Sequence, residues 1–212
     1  MKIVHISDSH GRHRNLTEAI EAIERIDVLI HSGDFSDYGI KEETEFFLEW
    51  FKSMPAKHKI LIAGNHDDTF FHSSNVSKEF DLTGIDYLQD ELIEIDGVTF
   101  YGSPWTPSPF GGSFTFYPGE GETIWQKIPD DVDVLITHGP KFKTLDLVEK
   151  YDRTQRLGCP SLAERIDQLD NLKAHLFGHI HEAKGIMTDN GIQYSNSATG
   201  LHVLELDEVG SE

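Results

Sequence analysis

The sequence is short of cysteine, of basic residues and of long apolar runs, and each shortage narrows what the chain can be. A single cysteine, Cys159, rules out an internal disulfide and fits a reducing compartment, so a cytoplasmic location is the expectation. With no Cys/His/Asn signature around it, Cys159 reads as a small buried hydrophobe. No apolar run approaches the roughly 18 to 20 residues that cross a bilayer, and the opening MKIVHISDSH lacks the long apolar core of a signal peptide. Neither a membrane span nor export is expected. Lysine and arginine number 18 against 37 acidic residues, a net charge of -19. Affinity for nucleic-acid backbone is built from cations that neutralise phosphates, so long DNA or RNA is an unsuitable partner. Linkers, repeats and low-complexity tracts are also missing, and 212 residues suffice for one sizeable core. One domain over residues 1–212 is the expectation.

What is present is an alternation of strand and helix signals, the mark of an α/β arrangement. KIVHIS (2–7), DVLIHS (27–32), KHKILIA (57–63), DVDVLIT (131–137) and AHLF (174–177) read as buried strands. Helical spacing of apolar residues appears over 15–25, over 41–54 with Phe47, Leu48, Phe51 and Met54 on one side, and over 161–169. Alternating arms around Asp96-Gly97 and Asn190-Gly191 predict two hairpins, which makes the sheet mixed.

Each of the five buried strands runs into a polar cluster of one chemical kind. These are Asp8-Ser9-His10, Gly33-Asp34, Gly64-Asn65-His66-Asp67, His138-Gly139 and Gly178-His179-Ile180-His181. Ligands of open α/β sheets sit beyond the carboxyl ends of strands, so the clusters should converge. Two carboxylates (Asp8, Asp34), one amide oxygen (Asn65) and four imidazoles (His10, His138, His179, His181) form a mixed oxygen and nitrogen donor set, suited to manganese, iron, zinc or cobalt. Seven donors exceed one tetrahedral ion. Shared between two ions through one bridging carboxylate, they supply about four protein ligands to each and leave room for water. Each residue alone has an ordinary alternative: Asp8 a helix cap, Asn65 and Asp67 turn formers, a lone histidine a hydrogen-bonded structural residue. His5, His31, His58, His72, His175 and His202 are assigned to that structural class. Five strand ends carrying ligand-type residues together is what the ordinary readings do not explain.

The ordered series Asp8-x-His10, Gly33-Asp34-x-x-Asp37, Gly64-Asn65-His66-Asp67, His138 and Gly178-His179-x-His181 resembles the calcineurin-like metallophosphoesterases. YGSPWTP (101–107), THGP (137–140), Gly158-Cys159 and FGHIHEAKGIMTD (177–189) are similar to the metallophosphoesterase-domain-containing phosphodiesterases within that superfamily. The resemblance implies a four-layer sandwich of two mixed β-sheets flanked by helices. It implies one metal held by Asp8, His10, Asp34 and His181, and a second by Asp34, Asn65, His138 and His179, with Asp37 and Asp67 orienting ligands. The implied cofactor is two divalent ions, manganese favoured and iron, zinc, cobalt or nickel possible. The implied reaction is hydrolysis of a small phosphodiester such as a cyclic nucleotide, by in-line attack of a metal-bridging hydroxide. His66, not needed as a ligand, is the candidate catalytic residue, stabilising phosphoryl oxygens or protonating the leaving oxygen. A phosphomonoesterase or protein phosphatase could use the same metal core, and a metal-stabilised interaction scaffold is the alternative outside enzymes. Arg12 and His13 are candidates for touching substrate phosphate, Trp105 for stacking on a base, and the aperiodic stretch 103–121 for shaping the substrate site.

Overall fold

Strands read as continuous apolar runs rather than alternating ones when both faces of a sheet are covered, and in the computed structural model, which describes residues 1–150 and 153–206, both faces are. The strands are β1 (Lys2–Ser7), β2 (Val28–Ser32), β3 (His58–Ile62), β4 (Asp86–Tyr87), β5 (Glu91–Ile95), β6 (Val98–Ser103), β7 (Thr106–Pro107) and β8 (Thr115–Phe116). They continue with β9 (Val134–Thr137), β10 (Leu147–Lys150), β11 (Arg153–Arg156), β12 (Ala174–Phe177), β13 (Gly185–Asp189), β14 (Ile192–Asn196) and β15 (Gly200–Glu205). Helices are α1 (Thr17–Glu21), α2 (Lys41–Ser53), α3 (Asp68–His72), α4 (Val76–Glu79), α5 (Glu122–Trp125) and α6 (Pro160–Ile166).

Among the described residues, one large sheet runs β15-β1-β2-β3-β4 and the other large sheet β13-β14-β12-β9-β6-β5, with β7-β8 and β10-β11 as separate two-stranded sheets. In the first, β1 to β4 are parallel and β15 lies antiparallel on β1; in the second, the two hairpins sit antiparallel at the edges. The alternation of side chains divides the core three ways. Ile3, Val28, Ile30, Ile60, Val134, Ile136 and Leu176 pack between the sheets. Val4, Ile6, Leu29 and Leu61 face outward onto Phe47 and Phe51 of α2. Tyr101 and Leu135 face the other way onto Trp125, Leu162 and Ile166 of α5 and α6. Helices, sheet, sheet, helices: the four-layer arrangement is present.

Several elements depart from the expectation. The helix expected over 15–25 is only a 3-10 turn at His13–Leu16 followed by α1, which ends at Glu21, and Asp27 N donates to Lys2 O at 3.0 Å just ahead of β2. The strand β15, the hairpin β10–β11 and the short α3, α4 and α5 add to the expected set. Both expected hairpin turns form, with Asp96-Gly97 and Asn190-Gly191 each at positive φ at both residues, as a two-residue turn of this hand requires. No helix among the described residues is long and apolar enough to cross a membrane.

Candidate metal centre

The carboxyl ends of β1, β2 and β3 in one sheet and of β9 and β12 in the other open on the same cleft. Directly past the strands the chain turns through the left-handed region at Asp8, His10, Asp34 and His179, with φ of 51°, 42°, 56° and 67°. That conformation is uncommon for residues other than glycine and costs on the order of 1–2 kcal/mol each. Neighbouring loops offset it by bonding one another: Asp8 N donates to Gly33 O at 3.0 Å, His10 N to Asp34 O at 3.0 Å and Gly178 N to His138 O at 2.9 Å. Glycine is required at two positions for closeness rather than for φ. A Cβ on Gly64 would run into Asp34, and one on Gly178 into Asp8 and Ser7.

Six of the seven expected ligands line the cleft, His138 lies fully buried just behind them, and the seven fall into two groups. Asp8, His10 and His181 offer donor atoms within 4.8 Å of one another, and so do Asp34, His138 and His179. His181 Nε2 stands 3.1 Å from Asp8 Oδ1 and 3.4 Å from His10 Nε2. In the second group His138 Nε2 is 3.3 Å from Asp34 Oδ2 and 3.0 Å from Asn65 Oδ1. Asp34 Oδ2 is also 3.9 Å from His10 Nε2, so one oxygen lies between the groups. A further grouping, His10 with Asp37 and His66, shares His10.

The electrostatics suit cations. Burial opposes ionisation of Asp34, yet the His138 ring, with hydrogen bonds from His138 and from His66 N, holds its carboxyl well below the usual range. Burial would likewise lower His138, but the Asp34 and Asp8 carboxylates push it up to about 10. The spot between these carboxylates therefore favours positive charge. His10 and His179 are lowered chiefly by burial, His179 to about 4, which keeps them as the neutral imidazoles that bind metals. Oxygen and neutral nitrogen donors around a carboxylate pair fit divalent ions of the manganese-to-zinc series.

Surrounding groups fix these side chains. Asp67, fully buried, accepts from Asp34 N at 2.9 Å, Gly64 N at 2.8 Å, and Ser36 N and Oγ at 3.0 and 2.8 Å, tying the loops after β2 and β3 together. His138 Nδ1 donates to Ser32 O at 3.0 Å, which aims Nε2 at the cleft. Asp8 accepts from Ser7 Oγ and from His179 N at 3.0 Å. Asp37 contributes its carbonyl, to which His66 Nδ1 donates at 2.9 Å, and places Oδ1 3.6 Å from His10 Nδ1.

Two of the substrate-contact candidates do not hold. His13 is fully buried against Phe46, Phe47 and Trp50 and faces away from the cleft. Trp105 donates to Asp90 Oδ2 at 3.2 Å and packs on Phe114, so it braces its own loop. Arg12 does line the cleft, together with Asn15 and Thr199, neither of which the sequence pattern singled out. Asn196, also missed, donates to Ile180 O at 2.9 Å and supports the turn that carries His179 and His181. Its signal was a polar Ser-Asn-Ser run at a strand end, the same signal that marked the ligands. Cys159 is buried, with Trp125 Nε1 donating to its sulfur at 3.3 Å.

Residues 1–183 match the family model described as calcineurin-like phosphoesterase. The metallophosphoesterase domain-containing protein 1 of Homo sapiens is 37% identical over 93% of this chain and 65% of its own length. A UPF0046 protein of Caenorhabditis elegans is 35% identical over 93% of this chain and 69% of its own. A probable glycerophosphodiester phosphodiesterase of Arcobacter nitrofigilis is 25% identical over 98% of this chain and 81% of its own. One protein of known crystal structure, 15% identical, superposes with a TM-score of 0.64 over 92% of this chain and 89% of its own, a likeness of fold. The chain thus spans just under two thirds of the length of the human relative.

Proposed function

The chain belongs to the calcineurin-like phosphoesterase family, and from that premise we propose that it is a metal-dependent hydrolase of small phosphodiesters, nucleotides among them, built as one catalytic domain. The observation that carries the reading is that Asp8, His10 and His181 on one side and Asp34, His138 and His179, with Asn65 beside His138, on the other gather about Asp34 Oδ2. Asp8, His10, Asp34 and His181 would hold one divalent ion, and Asp34, Asn65, His138 and His179 the other, manganese being the favoured metal. When bound, two such ions supply hydroxide near neutral pH from coordinated water and neutralise phosphate charge.

The chain's own groups do the rest. Asp8 and Asp34 set the net charge of the site: four positive charges against two carboxylates and one hydroxide leave +1, enough to draw an anion despite a chain of -19. His66, exposed at the rim, commits Nδ1–H to Asp37 O, which leaves Nε2 as the ring atom available to substrate. A proton on Nε2 can pass to the departing ester oxygen. Preference for diesters is supported by the similarity to relatives, one of them described as a phosphodiesterase. The experiment is a panel of monoesters, linear diesters and cyclic nucleotides on metal-reconstituted protein, with metal content by elemental analysis. Two ions per chain and faster diester turnover are expected. A monoester preference, or full activity with one ion, would overturn the reading.

A further inference from the structure

The metal centre borders cavities of different chemistry: two share Asn65 and His179, and a third, about 750 Å³, also reaches His179. The first, about 640 Å³, holds most of the expected ligands and His66, and is lined otherwise by Ser9, Arg12, Asn15, Leu16, Asp37 and Thr199. The second, about 900 Å³, opens between the 106–119 stretch and residues 155–161. Its apolar wall is Pro107, Pro109, Phe110, Phe116, Leu157 and Pro160. The charged side chains on its wall are Arg156, already donating to the fully buried Asp146 at 2.6 Å, and the exposed carboxylates Glu122 and Glu164, which disfavour an anionic arm. Phe110 is 94% exposed, a large apolar side chain with nothing packed on it at the cavity edge.

We infer that the substrate is a linear diester with two unlike arms, and that the retained arm, bulky, uncharged and carbon-rich, occupies the cavity beyond Asn65 and His179. The inference rests on the diesterase reading above. A diester has two arms on one phosphorus, and a centre set between two cavities accommodates both. His66 borders only the first cavity, so the arm whose oxygen receives the proton leaves on that side, among polar groups suited to a small alcohol. In the balanced step, the oxygen of water bonds to phosphorus and the P–O bond to the small arm breaks. One proton ends on the departing oxygen, and the products are an alcohol and the monoester of the bulky arm. A cyclic diester, whose two ester oxygens belong to one sugar, cannot use both cavities in this way.

The test uses two esters with the same p-nitrophenolate leaving group and different retained arms, methyl and 1-naphthyl, on the metal-reconstituted full chain. An apolar cavity that admits a bicyclic arm should favour the naphthyl ester by at least about tenfold in kcat/KM. Leu157→Trp, which fills the cavity, and Leu157→Arg, which charges it, should each bring that ratio to near one, with metal content as in the parent. Leu157 is 39% exposed, a position that tolerates both changes. Calorimetric titration with the product monoesters gives a second readout: 1-naphthyl phosphate should bind about tenfold tighter than methyl phosphate, and the Leu157 variants should abolish the difference. Diester turnover with no discrimination between arms, unaffected by Leu157, would overturn this inference and leave the diesterase reading standing. Absence of diester turnover would sink that reading, and the product titration would then still decide whether the cavity takes the apolar arm.

Discussion

Asp34 and His66 are adjacent in space, and the proposed function gives them different tasks, which substitution separates. Asp34 is placed between both donor groups, so Asp34→Asn should lower occupancy of both ions, whereas Asp8→Asn or His181→Ala should chiefly lower one. Elemental analysis of the three variants checks this; loss of the same single ion in all three would contradict the partition. His66→Asn should leave both ions in place and remove only help to the leaving oxygen. General-acid assistance is typically worth about 10² to 10⁴ in rate, and more for basic leaving groups. A cyclic nucleotide, which expels a sugar alkoxide, should therefore lose far more than bis-nitrophenyl phosphate, which expels a nitrophenolate. Equal losses at equal metal content would assign His66 to the phosphoryl oxygens instead. At this scale the candidate ligands were legible because each lies within four residues of a strand end. Arg12 and His13 were not separable, since adjacent residues in a 3-10 entry point to opposite sides and only packing shows which of them meets Phe47.

Loops rather than strands carry the site, and one side chain ties two of them together. Asp67 accepts four hydrogen bonds from the loops after β2 and β3. Replacing a carboxylate oxygen by an amide NH₂ sets a donor against donors, and each buried group left without a partner costs about 1–3 kcal/mol. Asp67→Asn should lower the melting temperature of the metal-free protein by several degrees and loosen both ions, while Asp37→Asn should barely alter melting. Equal melting shifts in the two variants would show that Asp67 is not the tie. Element periodicity explains what could be read here. Hairpins with Asp-Gly and Asn-Gly turns and the buried parallel strands announce themselves locally. Strand β15 does not, because GLHVLE derives its place from pairing with β1 and its half-exposed residues His202 and Val203 blur the pattern. With β15 unread, Thr199 at the mouth of the cleft was invisible too.

Across the whole molecule, histidines outside the site set how stability follows pH. His5 lies buried between Ser195 and Ser32 Oγ, at 2.8 Å from each, His31 stands 3.0 Å from Ser9 Oγ, and His175 stands 2.8 Å from Thr137 Oγ1, whose proton goes to Gly139 O. The structural role expected of them is the one they have. Burial, the leading cause for each, keeps them neutral, with His31 and His175 lowered to about 3. Such a group gains its proton only in the unfolded chain between its folded and unfolded pKa values. Its contribution is complete above the ordinary value of 6.5 and declines as pH falls toward about 3, because the unfolded state then binds more protons. Each one steepens the loss by up to about 1.4 kcal/mol per pH unit. Denaturant unfolding of metal-free protein at intervals between pH 7.5 and 4.5 should show stability falling with acidification. His175→Gln keeps a donor for Thr137 and cannot titrate, so its stability should fall less steeply below pH 6 by about that slope, whatever its value at pH 7.5. Parallel curves for parent and variant would mean that His175 takes up its proton in the folded chain as readily as in the unfolded one.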